Sequence, residues 1–420
     1  MFLPRKDAMT RCIFLCSKSI LSYSVRVLKS FFKKFSTQIV NNKTLQMNKQ
    51  TPLFKKNLFA ATLMLVSMTL FSCTKEPEPD VEPPAETTTI VTGVYVLNEG
   101  LFNANNASLT RFNFEDSTVE KSCFYNANNR GLGDTGSDLA IYGAKMYIVV
   151  NVSSQVEVVN ATTCKSLKQI PFFDGNKPRQ PRKVAFYGSY AFVCSFDGTV
   201  AVIDTSSLEV TKFITVGRNP DGIAAAYGKI WVSNSGGLNF PNYEDTISVI
   251  DPVSLTEEKK ITAGPNPYTI LPDNYGEMYL ISRGNYDDLK SRLQILDVAT
   301  GALKHTFMDF EALSFTIAGD TAWVYNYDWA SQSSSILMLN VKTEEIITNN
   351  FITDGTPIKT VYGIKADPIS KLVYITDALD FGSNGKVYAF DYEGRLKFEF
   401  GAGISPANVV VVDRKVVAMP

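Results

Sequence analysis

The sequence predicts an all-β fold, a seven-bladed β-propeller in which a C-terminal strand completes the first blade. Beyond Gly93, short β-rich runs alternate with Gly, Asn, Asp and Pro, without an amphipathic helical period. A strand with a central aromatic residue recurs seven times, at spacings of 39 to 52 residues. The 327 residues from 94 to 420 therefore divide into seven units of about 47, the length of a four-stranded blade.

The repeated aromatic strand is predicted to be the second of the four strands in each unit. Because each aromatic residue lies in the middle of an apolar run, we expect it to pack between neighbouring blades rather than to bind a ligand. The seven residues are Tyr95, Tyr147, Phe192, Trp231, Tyr279, Trp323 and Tyr374.

The third strand of each unit usually ends in Asp or Asn, as at Asp204 and Asp297. Such a side chain can accept hydrogen bonds from the backbone of the turn that follows. An apolar strand precedes every aromatic strand except the first, whereas an unmatched strand remains at 407–412. We therefore expect the C-terminal strand to be the inner strand of the first blade, which leaves the ring without an open edge.

The first 72 residues are predicted to lie outside the fold. They contain twelve Lys and Arg but one acidic residue, and an apolar run at 58–71 follows Lys55 and Lys56. A basic stretch before an apolar segment too short to span a bilayer is typical of a secretory signal. Met47 is a natural start for such a signal. We interpret 1–46 as an over-called start without a fold and 47–72 as a lipoprotein signal peptide.

The signal ends in Ser72-Cys73, which resembles the bacterial lipobox, and this resemblance implies lipidation of Cys73 and a lipid anchor in the membrane. Residues 73–92 are rich in Pro, Glu and Thr, so we predict an extended tether that leads to the propeller at 93–420. A lysine followed by acidic residues after Cys73 is similar to the surface-export signal of Bacteroidetes lipoproteins. We expect a lipoprotein of the outer membrane that is exposed at the cell surface.

Charge and composition argue against several classes of function. Removal of residues 1–72 leaves 29 Lys and Arg against 41 Asp and Glu, a net charge near −12, which disfavours nucleic acid as a partner. The single histidine, His305, falls in an outer strand and cannot supply a triad or several metal ligands. Cys123, Cys164 and Cys194 lack metal-ligand spacing. We therefore expect a binding protein, not an enzyme, without catalytic residues, a metal site or a cofactor.

The long loops are expected to form the binding surface. In a blade, the loop between the second and third strands emerges on the same face as the loop that leads to the next blade. Here both kinds of loop are long and rich in aromatic, Asn and Arg side chains, which suit a large, partly flat ligand with many amides or hydroxyls. The candidate ligand-binding residues are Asn98, Glu99, Phe102, Asn105, Asn128, Arg130, Arg179, Arg218, Asn219, Asn234, Phe240, Tyr243, Arg283, Tyr286, Tyr327, Trp329, Asp377 and Phe381.

Two segments carry a resemblance to known families. The series FVCS at 192–195, VAVID at 200–204, ITVGRNPDGIA at 214–224 and WVSN at 231–234 resembles the YVTN-type propeller repeat of YncE-like proteins, and the similarity covers about 325 residues. This resemblance implies the fold and leaves the function open. The opening VYVLNEG at 94–100, followed by an Asn-rich loop, resembles the BtuG-type cobalamin-binding surface lipoproteins of gut Bacteroidetes.

The second resemblance implies a specific function. BtuG-type proteins capture cobalamin (vitamin B12) and pass it to a TonB-dependent transporter of the outer membrane. Cobalamin would then be a transported ligand rather than a cofactor. Asn and Arg side chains would bond its amides while aromatic side chains pack on the corrin ring.

Two alternatives remain open at this point. Aromatic and amide side chains would serve sugars equally well, so the second hypothesis is a glycan- or protein-binding propeller of a nutrient-uptake or adhesion system. The third hypothesis is a propeller lactonase or lyase. That chemistry needs a metal or a histidine-assisted acid–base site on the central channel, which a single peripheral histidine does not provide.

Overall fold

A computed structural model describes residues 87–417 of the chain. The predicted over-called start, the signal peptide and the lipidated Cys73 lie outside these residues. Within the described range, no helix is both long enough and apolar enough to cross a membrane.

The described chain forms seven four-stranded antiparallel sheets, which confirms the seven-bladed β-propeller. Blade 1 contains β1 (Thr87–Asn98), β2 (Ser108–Asn113) and β3 (Val119–Glu120) from the N-terminal part of the described chain. A short helix, α1 (Cys123–Asn128), follows β3. Blade 2 contains β4 (Gly136–Tyr142), β5 (Lys145–Val150), β6 (Gln155–Asn160) and β7 (Ser166–Pro171). A hairpin of β8 (Phe173–Asp174) and β9 (Lys177–Pro178) leads to the third blade.

The next three blades have the same order from the inside outwards. Blade 3 contains β10 (Pro181–Tyr187), β11 (Tyr190–Ser195), β12 (Thr199–Asp204) and β13 (Val210–Thr215). Blade 4 contains β14 (Pro220–Ala226), β15 (Lys229–Asn234), β16 (Thr246–Asp251) and β17 (Thr256–Thr262). Blade 5 contains β18 (Pro267–Pro272), β19 (Glu277–Ser282), β20 (Arg292–Asp297) and β21 (Ala302–Thr306).

The last two blades lead to the strand that closes the ring. Blade 6 contains β22 (Ser314–Ala318), β23 (Thr321–Asp328), β24 (Ser333–Asn340) and β25 (Glu345–Thr348). Blade 7 contains β26 (Val361–Asp367), β27 (Leu372–Asp377), β28 (Asn384–Asp391) and β29 (Leu396–Ile404). The final strand, β30 (Pro406–Val417), is the inner strand of blade 1.

Ring closure occurs as predicted, between the two ends of the described chain. β30 pairs with β1 along its whole length, from Asn98 opposite Pro406 to Thr87 opposite Val417. The pairing also corrects one boundary, because residues 87–92, which we assigned to the tether, belong to β1. Their sequence, TTTIVT, is rich in β-branched residues that favour a strand once a partner strand is available.

The repeated aromatic residues form the cores between blades, as the sequence predicted. Each of the seven is at most 1% exposed. Apolar clusters fill the seams between successive blades, and the seam between blades 7 and 1 joins Tyr374 and Phe400 to Val94, Val96 and Val409. The apolar seams therefore continue around the ring to the closing blade.

The residues that end the third strands also behave as expected. The carboxylate of Asp204 accepts backbone hydrogen bonds from Ser206 and Ser207 at 2.9 and 2.8 Å. Asn160 and Asp251 bond the second and third residues after them in the same way. These contacts stabilise the short turns between the third and fourth strands.

Candidate functional site

A β-bulge recurs near the start of the inner strand in six of the seven blades. At each one the pairing with the second strand skips the second residue of the inner strand, which reorients its side chain, and in blade 5 it also skips the third residue, Thr269. The bulged residues are Ser137, Arg182, Asp221, Tyr268, Tyr362 and Ala407. All except Asp221 line a central cavity of about 960 Å³, and Asp221 lies directly behind two of the lining arginines.

Local sequence explains the bulges. In five blades the residue before the inner strand has a positive φ, and in four of these the strand then starts with proline, as in Asn219-Pro220 (φ of Asn219 44°). The neighbouring inner strands also come very close together. A Cβ atom on Gly222 would lie 1.9 Å from the carbonyl oxygen of Tyr268, so the backbone approach requires glycine there.

We call the loop-face end of this cavity the channel mouth, and its floor is built around a buried carboxylate. Asp221 accepts hydrogen bonds from Arg182 Nε at 2.6 Å and from Arg283 at 2.9 Å. The guanidinium of Arg283 also lies 3.5 Å from the ring centre of Tyr268. Burial disfavours the charged form of Asp221, but the two arginines more than offset this and hold the pKa of Asp221 below its usual value.

Two further polar pairs complete the mouth. Lys183 Nζ lies 3.4 Å from Asp138. Burial alone would lower the pKa of Lys183, but attraction to nearby groups, chiefly the Asp138 carboxylate, outweighs burial and raises it. The hydroxyl of Tyr362 donates a hydrogen bond to Glu99, and burial together with this carboxylate raises the pKa of Tyr362 well above its ordinary value. These groups and the arginine cluster bring three positive and three negative charges to the mouth, which balance.

One side of the mouth is an aromatic wall formed by Tyr327, Trp329, Tyr362 and Phe381. The rings of Trp329 and Phe381 stack with their centres 6.0 Å apart and their planes 15° from parallel. Tyr327 packs edge-on against Trp329 at 4.8 Å, and Tyr362 packs edge-on against Phe381 at 5.7 Å. The indole of Trp329 is 69% exposed, so its surface is available to a ligand.

Five of the residues predicted from the sequence meet at this cavity. Glu99, Arg283, Tyr327, Trp329 and Phe381 all line it, although they come from four different blades. Tyr327 lies within β23 rather than in a loop, because this strand continues to Asp328 and pairs there with Ser333 of β24.

Three predicted residues have a structural role instead. Asn98, Asn234 and Asp377 are each the last residue of a second strand, and each is at most 1% exposed. The amide of Asn234 donates to Thr246 and Ser248 and accepts from the backbone of Gly217. Asn98 makes the equivalent bonds in blade 1, and Asp377 accepts three backbone N–H bonds. They hold the loops to the blades and do not line the cavity.

Several other predicted residues are engaged in fixing loops away from the mouth. Arg130 donates to both oxygens of Glu157 at 2.9 Å, and Arg179 pairs with Asp197. Asn105 bonds Asp134, and Arg218 bonds Glu244. Asn128 bonds Phe124, Cys164 and Ser166. Asn219 bonds Phe196, Leu238 and Asn239.

Four predicted aromatic residues lie on the loop face but outside the cavity. Phe240, Tyr243 and Tyr286 form an outer aromatic cluster, with successive ring centres 6.2 and 5.9 Å apart. Phe102, in the first long loop, is 74% exposed. These rings extend the apolar surface beyond the mouth, over blades 1, 4 and 5.

Arg182, Asp221, Tyr268 and Tyr362 were not predicted as site residues, because each lies where a loop passes into an inner strand and the inner strands were expected to be apolar. One signal could have found three of them. In Pro181-Arg182, Pro220-Asp221 and Pro267-Tyr268, a polar or aromatic residue follows the proline that begins an inner strand.

The single histidine is remote from this site. His305 lies in β21, the outermost strand of blade 5, where it packs edge-on against Phe307. Among residues 87–417 there is no group of three or more His, Cys, Asp or Glu placed to hold a metal ion.

The fold and the mouth together define a seven-bladed propeller with a polar, aromatic-walled central site. Residues 92–400 match the family described as a domain of unknown function, DUF5074, and the chain belongs to that family. No curated protein matches the sequence.

Solved structures with low identity share the fold. A quinonprotein alcohol dehydrogenase-like protein from Bacteroides thetaiotaomicron is similar at 14% identity and a TM-score of 0.58, over 77% of this chain and 79% of its own. A proposed 6-phosphogluconolactonase from Bacteroides uniformis has 15% identity and a TM-score of 0.53, over 76% and 100%. Hydrazine synthase from Kuenenia stuttgartiensis has 16% identity and a TM-score of 0.53, over 66% and 94%. At this identity the likeness concerns the fold alone.

Proposed function

We propose that the protein binds a large, uncharged, amide- or hydroxyl-rich molecule at the channel mouth, and that this molecule is cobalamin. The observation that carries the proposal is the ring of β-bulges. It brings Arg182, Tyr268 and Tyr362 from three blades to one opening, where they meet Glu99 and Arg283 from the long loops.

The charges of the mouth favour a ligand without net charge. Asp221 accepts a hydrogen bond from one nitrogen of Arg182 and one nitrogen of Arg283. Each guanidinium group therefore keeps other N–H donors for the carbonyl oxygens of a ligand. Glu99 supplies an acceptor beside them for amide N–H groups. Because three acids balance three bases, the mouth would gain little from a strongly charged ligand, whereas amides satisfy both kinds of group.

The aromatic wall favours a flat ligand surface. Trp329 and Phe381 present nearly parallel rings to the mouth, and Tyr327 braces the indole from the side. A corrin ring fringed with amides would pack on this wall while its edge reaches the arginines.

The transport role is proposed from the sequence. The signal-like segment before Cys73, the tether-like composition after it and the opening motif at 94–100 support a surface lipoprotein. In this proposal the protein would capture cobalamin and pass it to a TonB-dependent transporter of the outer membrane.

The test is calorimetric titration of residues 74–420 with cyanocobalamin. We expect one binding site per chain at micromolar protein, and no heat of binding would refute the cobalamin assignment. A triple variant that changes Arg283, Tyr327 and Trp329 to Ala should lose binding. The matched control changes Phe102, Phe240 and Tyr286 to Ala on the same face. If only the control loses binding, the site is on the outer aromatic cluster instead.

A glycan is the second candidate ligand, and the exposed Trp329 supports it, since indole faces also pack on sugar rings. A glycan array distinguishes this ligand from cobalamin. Binding to an oligosaccharide that is abolished by Trp329→Ala, together with no response to cyanocobalamin, would select the glycan-binding alternative.

A further inference from the structure

Two buried cysteines meet at the seam between blades 1 and 2. Cys123 is the first residue of α1, which follows the outer strand of blade 1, and Cys164 lies in the turn between β6 and β7 of blade 2. Their sulfur atoms are 3.4 Å apart, and each residue is 2% exposed.

The surroundings of the pair are apolar and closely packed. Both cysteines belong to the same core cluster as Tyr95, Leu109 and Phe124. The Cys123 thiol donates to the carbonyl oxygen of Leu109 at 3.2 Å, and the amide of Asn128 ties α1 to the carbonyl oxygen of Cys164 at 2.8 Å. These two hydrogen bonds and the apolar packing keep the two sulfur atoms close together.

We propose that Cys123 and Cys164 form an intramolecular disulfide when the chain folds in an oxidising compartment. A covalent S–S bond is about 2.05 Å long, so the sulfur atoms need to approach by about 1.3 Å, which small side-chain rotations could supply. The inference is independent of the ligand, because neither cysteine lines the channel mouth.

The oxidant in this proposal is a disulfide-bonded donor protein. The thiolate of one cysteine attacks the donor disulfide and releases one donor thiolate. The second cysteine, after losing its proton, attacks the mixed disulfide and releases the other. Two thiols thus lose two electrons and two protons, and the donor disulfide becomes a dithiol. Because both sulfurs are buried in the folded protein, the exchange takes place before the seam closes.

The bond would reinforce a weak part of the ring. The outer strand of blade 1, β3, has two residues, and blade 1 gains its inner strand only when β30 arrives from the C-terminus. A disulfide that joins positions 41 residues apart would keep α1 and the outer edge of blade 1 against blade 2 before that pairing is made.

The test is peptide mapping of the full chain after export to a bacterial periplasm, with thiols alkylated under denaturing, non-reducing conditions. We expect trypsin to release residues 122–130 linked to residues 146–165, as a species that separates on reduction. Cys194, buried in blade 3 within peptide 184–212, is the internal control and should be alkylated without reduction. Alkylation of Cys123 and Cys164 as free thiols, to the same extent as Cys194, would overturn the proposal.

A thermal measurement gives a second readout. Reductant should lower the melting temperature of the exported protein by about 5–10 °C, and should have no effect on the variant with both Cys123→Ala and Cys164→Ala. Cys194→Ala should keep the full response to reductant. An equal response in the wild type and in the double variant would refute the disulfide.

Discussion

The carboxylate of Asp221 accepts a 2.6 Å hydrogen bond from Nε of Arg182 in the inner wall of the propeller. These residues occupy equivalent positions in adjacent blades, since each is the bulged second residue of its inner strand. The propeller repeat thus places an acid beside a base without any proximity in the sequence. Arg283, from the next blade, completes the cluster.

This relationship predicts a large effect of Asp221→Asn on stability. The substitution leaves Arg182 and Arg283 close together without a compensating charge, so we expect a loss of about 3–5 kcal/mol in the free energy of unfolding at pH 7. Denaturant titration measures this loss. Asp287→Asn, on an exposed loop, is the control and should change stability by less than about 0.5 kcal/mol.

The effect of Asp221→Asn should depend on pH with a defined sign. The folded state lowers the pKa of Asp221, so the ionised carboxylate stabilises the fold above the unfolded-state pKa of about 3.9. That advantage is lost as the pH falls through the lower, folded-state value. The difference between wild type and variant should therefore shrink below about pH 4. A constant difference from pH 7 to pH 3 would show that charge is not its cause.

A second prediction concerns the aromatic wall and depends on the proposed ligand. Trp329 is 69% exposed, so Trp329→Ala should leave the melting temperature unchanged while it weakens cyanocobalamin binding by about 10- to 30-fold. Phe102→Ala is the matched control, since Phe102 is 74% exposed on the same face but does not line the cavity. Equal losses of affinity in both variants would argue against a defined site at the mouth.

The fold could be predicted from the sequence because the repeat is visible in it. The spacing of Tyr95, Tyr147 and the later aromatic residues gave the number of blades, and the unmatched C-terminal strand gave the closure. The number of blades depends on patterning within each unit of the repeat, and the closure depends on the need to cover an open strand edge.

The site could be predicted only in part, because it depends on contacts between blades. Trp329 and Phe381 stood out as aromatic residues in long loops. Asn234 was predicted from its polar side chain, but its position at the end of β15 directs its amide to neighbouring strands. Arg182 and Asp221 were missed because a bulge changes the direction of their side chains, and strand alternation alone does not reveal a bulge.

The structural role of Asn234 is itself testable. Asn234→Ala removes a buried amide that bonds Gly217, Thr246 and Ser248, so we expect a loss of about 1–3 kcal/mol in the free energy of unfolding. Ligand affinity, measured below the melting transition, should stay the same. Asn242→Ala, at an exposed position of the neighbouring loop, is the control and should change neither quantity. A loss of affinity in Asn234→Ala without a loss of stability would restore this residue to the binding site.

The last prediction concerns the closure of the ring. Deletion of residues 406–420 removes β30, exposes the edge of β1 and opens the apolar seam that Val409 helps to fill. Because the deletion removes one strand from the seam that joins the last blade to the first, we expect loss of the cooperative thermal transition and an increase in hydrodynamic radius. Calorimetry and size-exclusion chromatography measure these two effects.

Deletion of residues 418–420 alone is the matched control, since it leaves every pair between β1 and β30 in place, and it should melt like the full chain. A synthetic peptide of residues 405–420, added to the longer deletion during refolding, should restore the transition by taking the place of β30. If the longer deletion still unfolds in one cooperative step without the peptide, blade 1 does not need its inner strand, and the closure between β1 and β30 is not what holds the ring together.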